Sequence, residues 1–453
     1  MNKNSLLLLV IFLIPVAVMA QFPYVGIQNS QRKGIISAMM NPAELNNLYR
    51  TVEVQFFAAN ASIGNNTLTF SETIENRNDL WNTMMEKAED PVDGNTDGSI
   101  ILPSFGMKKG KWAFGLISQI QSRATILNIN PELGRYVTEN EISIEVLRFA
   151  INNPNNQRAN FATWFESGIV IGREIWNTPK SKFSVGTNIK LLFPTGYTNL
   201  GVGNLRGTLV VDQSAVTLTN AQGTVNISYN ESVVDTRNFN IDYNNINFGK
   251  LSGVGFDIGF NYQLKNEKGI WLSTGMAFRN IGNLTLGAGQ NNQTFQMNIP
   301  DGESFRIDLL EPDFRTIERD FLESGYFSRE SNNDGFQAGL PTVWAANADM
   351  KLSDKFFISV YGQTFIQNKE NNFQIPAINL IALTPSAVFG KFEVYSSWGY
   401  YDIAGFTGGL GLRFGGFFIG SQSILTAMMA DTKKADLQVG LSWGFGKKTS
   451  GDL

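Results

Sequence analysis

The chain has 453 residues, with no Cys, no His, 44 Gly and 34 Phe, and 17% of its residues are charged, against about 25% in an average soluble domain. The missing Cys excludes disulfide scaffolds, Cys-ligated zinc, iron–sulfur clusters and thiol nucleophiles, and the missing His excludes Ser-His-Asp machinery, HExxH metalloproteases and His-ligated metals. A formal net charge of -4, from 36 Lys+Arg against 40 Asp+Glu, offers no electrostatic footprint for nucleic acid. Mean hydropathy is -0.11. Low charge with middling hydropathy is what an amphipathic transmembrane β-barrel gives, because lipid-facing and lumen-facing residues alternate and their hydropathies cancel.

Residues 1–20 read as a secretory signal peptide. Lys3 supplies the positive start, Leu6 to Val18 is apolar apart from Pro15, and Val18-Met19-Ala20 fits a cleavage site before Gln21. The apolar core is shorter than the roughly 20 residues of a spanning helix, and no Cys follows for lipid attachment. Residues 21–50 then precede the first strand, residues 51–445 carry strand signals throughout, and 446–453 form a tail.

Period-2 alternation dominates the rest. Residues 252–264 show it best: Val254, Phe256, Ile258, Phe260, Tyr262 and Leu264 fall on one face, and Gly253, Gly255, Asp257, Gly259, Asn261 and Gln263 on the other. The same pattern recurs at 111–122, 182–191, 355–366, 391–400, 405–414 and 434–445. Weaker strands read at 51–63, 99–109, 161–175, 205–219, 223–236, 268–282, 341–352 and 376–388. That makes about 14 strands. Trp112, Trp164, Trp176, Trp271, Trp344, Trp398 and Trp443 sit near strand ends, as in interfacial girdles. A soluble sandwich also alternates, but a chain of this length without a linker favours a closed membrane barrel, whose closure removes exposed edges. Helix-like spacing at 73–90 and 131–151 and the charged stretch 301–330 suit long extracellular loops. The Asn-rich pieces at 152–160, 291–292, 332–333 and 371–372 read as loop tips.

Residues 34–45, Gly-Ile-Ile-Ser-Ala-Met-Met-Asn-Pro-Ala-Glu-Leu, place Asn41-Pro42-Ala43 just before the first strand. Further on come Gly255-Phe256-Asp257-Ile258-Gly259-Phe260 with Tyr262, then Gly275 to Gly282, then Leu340-Pro341, and finally Gln438-x-Gly440-x-x-Trp443-x-Phe445. This ordered set resembles the FadL-like superfamily of outer-membrane barrels. It is closer still to two Bacteroidota relatives: an uncharacterised outer-membrane barrel family and the shuttle barrel of the type IX secretion system. The resemblance implies an all-β fold, a transmembrane antiparallel β-barrel of about 14 strands with helical insertions in its extracellular loops. It implies that residues 21–50 fold into the lumen as a plug carrying Asn41, Pro42 and Ala43. It also implies that Gln438, Gly440, Trp443 and Phe445 form a terminal-strand signal for the barrel assembly machinery, here followed by the tail.

No constellation for catalysis stands out. The carboxylate pairs Glu139/Glu141 and Asp349/Asp354 read as solvated loops and lumen lining. The Gly-rich runs at 201–203 and 408–411 lack the Gly-Lys-Ser/Thr and βαβ context of phosphate loops. No enzyme activity, cofactor or metal is expected. Asp257, Arg279, Asp349, Glu393 and Arg413 are expected to face the lumen, either pairing with one another or the plug, or lining a route. Two functions stay open. One is a FadL-like transporter or channel in the outer membrane for a small hydrophobic molecule, gated by the plug, with Phe22, Tyr24, Ile35, Ile36, Met39 and Met40 as candidate ligand contacts. The other is an accessory or binding barrel of a secretion or surface-display system, with a secretion-system protein as partner and the loops at 73–98, 128–160 and 285–335 as its working surface. In both, outer-membrane lipid surrounds the barrel.

Overall fold

A computed structural model describes residues 24–138, 146–213, 215–230, 234–235, 240–241, 250–310, 313–429 and 431–449. The signal peptide reading, Phe22, Glu139, Glu141 and the last four residues of the tail lie outside the described residues.

The strands close into one antiparallel barrel of fourteen staves. In chain order these are β1 (Arg50–Asn65), β2 (Val92–Ile101, continued by Ser104–Lys109), β3 (Trp112–Ile129), β4 (Gln157–Asn177), β5 (Ser181–Val211), β6 (Gly253–Asn266), β7 (Gly269–Arg306) and β8 (Val343–Lys351). They continue with β9 (Phe356–Phe365), β10 (Leu380–Phe389), β11 (Phe392–Tyr401), β12 (Gly405–Phe414), β13 (Phe417–Ser421) and β14 (Lys434–Lys448). Closure is the pairing of β14 with β1, from Arg50 opposite Lys448 to Gly64 opposite Lys434, with register shifts between Arg50 and Val52 and between Gln55 and Phe57. One end carries tight turns, among them Gly110 and Gly390 at φ 63° and 65°, a backbone state that glycine enters without a Cβ penalty. The other end carries the long connections. Short turns mark the periplasmic end of outer-membrane-type barrels.

The alternation decides which side meets lipid. On β6, Ile258 is 43% exposed and Asp257 only 1%. The outward row Val254, Phe256, Ile258 and Tyr262 continues around the wall as Phe114, Ile189, Met276, Val360, Leu383, Leu412 and Leu437. An apolar belt of this extent is satisfied only by hydrocarbon. The strands β9 to β12 are 10 residues each, enough to cross a bilayer when tilted. Ile258→Arg should therefore lower stability by about 2–4 kcal/mol, the penalty for a cation near the bilayer midplane. Unfolding of the barrel in lipid vesicles measures it, and an unchanged midpoint would remove Ile258 from the lipid face.

Two sequence expectations need correction. The stretch 285–335 is not a loop. β5 and β7 run 31 and 38 residues and rise beyond the belt, where they pair with Val216–Asn230, Leu147–Asn153 and Phe327–Gly339. Asn292 lies opposite Asn333 within this sheet instead of at a tip, because its side chain is buried and accepts from Asn226 and Ser228. The sheet encloses its own apolar core, in which Leu209, Tyr229 and Phe295 pack on the helix Phe314–Ser324 and Phe321 stacks on Phe327 at 4.0 Å. The second correction is β13. It has 5 residues, too few for alternation to register, and the helix Ile424–Met429 follows it.

Candidate functional site

Fourteen strands enclose more space than their own inward side chains fill; about eight strands is the size that side chains fill. The remaining space is taken by chain. Residues 24–49 pack against the inward faces of strands around the barrel as a 3-10 turn at Ile27–Asn29, the helix Ile35–Met40 and a 3-10 helix at Pro42–Asn47. The last of these starts as its sequence dictates. Asn41 is the N-cap, its Oδ1 accepting from Ala43 N at 3.1 Å, and Pro42 occupies the first turn, where no N–H is needed.

Asn41-Pro42-Ala43 lies flush on the wall. Asn41 Nδ2 donates to Phe260 O at 2.9 Å. A Cβ at Gly186 would run into the backbone of Pro42 and Ala43, and one at Gly259 into Asn41 and Pro42. Glycine at these two inward positions is thus a docking surface. Gly186→Val is expected to displace the motif while leaving the β5–β6 pairing intact. Proteolysis of residues 24–49 in the folded barrel reads this out, and unchanged protection would show that the motif does not rest on Gly186.

Polar bonds hold the segment at several heights. Ser30 Oγ donates to Glu393 Oε2 at 2.6 Å and accepts from Arg413 Nη1 at 2.8 Å, and the same guanidinium reaches Arg32 O at 3.1 Å. Lys33 Nζ meets Asp349 Oδ2 at 2.9 Å. Burial pushes the Lys33 ammonium down, but Asp349 and Glu44 outweigh it and hold the group above the ordinary lysine range. Asn47 Nδ2 donates to Asn261 Oδ1 at 2.9 Å, and Lys108 and Lys182 each donate to Asn46 O at 3.0 Å. Gln438 Nε2 donates to Val25 O at 3.1 Å.

All five polar positions chosen from the sequence lie buried on the inward side. Asp349, Glu393 and Arg413 contact the segment directly. Arg279 reaches Met40 Sδ at 3.3 Å, Tyr361 OH at 3.0 Å and Gln363 Oε1 at 2.9 Å. Asp257 does not touch the segment; it pairs with Lys190 at 2.9 Å, and Lys190 also meets Glu166 at 3.3 Å. Asp349 and Asp354 are not one site, since Asp354 is exposed and paired with Lys351. Trp443 and Phe445 face outward, while Gly440 faces Phe418 and Ala58.

The candidate ligand contacts divide. Tyr24 sits edge-on to Phe418 at 6.3 Å with its hydroxyl 3.3 Å from Ser99 Oγ, and burial pushes its phenol up. Ile36 packs with Tyr24 and Phe418, and Ile35 with Leu45 and Leu48. Met39 and Met40 border a cavity of about 40 Å³ that also meets Lys190, Arg279 and Asn280.

A second inward segment had no signal in the sequence. The connection between β9 and β10 turns inward and crosses the lumen. Buried Arg158 on β4 donates to Lys369 O at 2.7 Å and Gln374 O at 3.0 Å, Tyr197 OH to Asn372 O at 2.5 Å, Arg123 to Pro376 O, and Gln374 Nε2 to Leu340 O at 2.8 Å. Among the described residues there is no group of three or more Asp or Glu placed to hold a metal ion.

A model described as a family of unknown function, DUF5723, matches residues 42–422. No curated protein matches the chain in sequence. Solved structures similar to it include the toluene transporter TbuX of Ralstonia pickettii (11% identity, 90% of this chain, 92% of that one, TM-score 0.38). Another is the P. putida toluene transporter TodX (8% identity, 92% and 95%, TM-score 0.44). A third is a Pseudomonas aeruginosa FadL homologue (10% identity, 95% and 98%, TM-score 0.29).

Proposed function

We propose that this chain, which belongs to the family of unknown function DUF5723, is an integral outer-membrane β-barrel that passes a small hydrophobic molecule, with residues 24–49 as the element that yields. One observation carries the reading. The lumen is built wide and then filled by a segment held through hydrogen bonds and ion pairs, which can be exchanged without breaking the wall. A barrel serving only as an anchor needs no such width, since about eight strands already close around their own side chains. Met39 and Met40 offer flexible apolar contact beside the cavity. Gln438, Gly440, Trp443 and Phe445 belong to this proposal as the signal for the barrel assembly machinery.

The absence of Cys from the chain makes the test clean. Asn47→Cys and Asn261→Cys, placed where the two side chains meet at 2.9 Å, are joined by a short reducible crosslinker. The barrel is then reconstituted in liposomes with a fluorescent hydrophobic tracer outside. Tracer entry should stop on crosslinking and return on reduction. Entry at the same rate with the segment locked overturns the proposal.

A second reading, an accessory or binding barrel in secretion or surface display, has its own support in the external sheet with its separate apolar core. Crosslinking on intact cells tests it. A barrel recovered without any partner in every preparation speaks against it.

A further inference from the structure

The outward face of the wall changes character at the short-turn end of β2, β3 and β4. On β2 the outward row runs Phe105, Met107 and then Lys109; on β4 it runs Ile169, Ile171 and then Arg173. Between them Trp112 opens β3. The ladder sets the three side by side, with Trp112 opposite Lys109 on one side and opposite Arg173 on the other. All three are exposed. The Arg173 guanidinium carbon lies over the Trp112 ring, 4.7 Å from its centroid. That contact engages the face of the guanidinium and leaves its N–H donors for another group.

The charge here is not balanced by the protein. Residues 104–117 and 168–185 contain one carboxylate, Glu174. It is buried and turned inward, where Lys108 and Lys182 meet it at 3.2 and 3.6 Å. The carboxylate of neighbouring β1, Glu53, is buried as well. Glu267 is exposed but lies beyond β6, between Lys265 and Lys268. Lys111, exposed in the β2–β3 turn, adds a third cation to Lys109 and Arg173.

The patch continues rows that meet hydrocarbon, so the chemistry at its depth is that of phospholipid head groups. Lys109 and Arg173 are two strand spacings apart, about 10 Å, a gap that two long side chains close around one phosphate. A zwitterionic head group would bring its own ammonium among three cations with no exposed carboxylate to receive it. An anionic head group brings none.

We propose that Lys109, Trp112 and Arg173 form a binding site for an anionic phospholipid of the leaflet at the short-turn end. The phosphate sits between Lys109 and Arg173, Lys111 adds attraction, and an acyl chain runs along Met107, Phe114 and Ile171, which lie opposite one another in the next outward tier. The site stands independently of whether the barrel passes a hydrophobic molecule.

The test uses the full chain folded in detergent micelles, given phosphatidylglycerol and phosphatidylethanolamine with the same acyl chains at equal concentration. Native mass spectrometry reads which lipid stays bound. Phosphatidylglycerol should be retained about tenfold better, and Lys109→Gln with Arg173→Gln should bring the two lipids within about twofold, since each basic group near a lipid surface contributes roughly fivefold. Lys268→Gln with Lys391→Gln removes the same charge elsewhere on this rim and should leave the preference in place. sn-Glycerol 3-phosphate, a phosphate without acyl chains, should not displace the lipid. Heat-modifiable migration confirms that each variant is folded. Equal retention of the two lipids by the parent, an unchanged preference without Lys109 and Arg173, the same loss without Lys268 and Lys391, or displacement by glycerol 3-phosphate overturns the proposal.

Discussion

Removing residues 24–49 and replacing residues 366–379 by a short Gly-Ser linker in the same chain should turn a silent barrel into a steadily conducting one. Either change alone should leave it closed to ions. The reason is that the two closures lie in series. The luminal segment is bonded to β5, β6, β8, β11, β12 and β14 in the half with short turns. The inward connection reaches from β9 across to Arg123, Arg158 and Tyr197 on β3, β4 and β5. Neither closure supplies a stave, and the β1–β14 seam begins at Arg50, after the segment ends. The wall should therefore survive both deletions, as heat-modifiable migration in electrophoresis can confirm. With both gone, about fourteen strands leave a lumen approaching that of the water-filled porins. Planar-bilayer recordings decide the matter. A steady open level in the double variant only is the expected result, and full conductance after removing the segment alone would show that the 366–379 connection seals nothing.

How much of this was legible follows from the range over which each signal acts. Strand alternation is local, so the faces of β6, β11 and β12 could be read residue by residue, and Asp257, Glu393 and Arg413 could be assigned inward from the spacing alone. The Asn41-Pro42-Ala43 motif was visible, but its seat was not. Nothing in the sequence around Gly186 or Gly259 marks them as a seat, and only the folded barrel brings the motif onto their bare backbone. β13 escaped because five residues carry barely two alternations. Of the external sheet, 205–219 and 223–236 read as strands, but 285–306 and 327–335 did not, because Asn-rich runs suggest tips, whereas here Asn226 and Asn292 hydrogen-bond each other across strands. Arg158 carried no signal at all. Apart from Asn199, its acceptors are backbone carbonyls more than two hundred residues away, which no side-chain pattern announces.

Lys190→Met should be the most damaging single change in the wall, lowering stability by about 3–5 kcal/mol, the range for removing one partner of a buried ion pair. Lys190 is 4% exposed and lies on β5 between Gly168 on β4 and Gly255 on β6, so small neighbours leave its side chain room to reach both ways. It holds Asp257 at 2.9 Å, Glu166 at 3.3 Å and Asn280 Oδ1 at 2.7 Å. Asp257 also accepts from Asn188 Nδ2 and from the backbone N of Asn280, while Glu166 accepts from Gln119 and Trp164. Methionine preserves the length of the side chain and deletes the cation that pairs with two buried carboxylates. They then repel each other in a buried site. The cause is electrostatic and not steric, so the triple variant Lys190→Met, Asp257→Asn, Glu166→Gln should recover most of the loss, since it removes the charges and keeps the shapes. Urea unfolding in lipid vesicles, followed by tryptophan fluorescence, compares the three proteins. A single variant within about 1 kcal/mol of the parent would place these groups with surface ion pairs. A triple variant no better than the single one would point to lost packing around Lys190 in place of stranded charge.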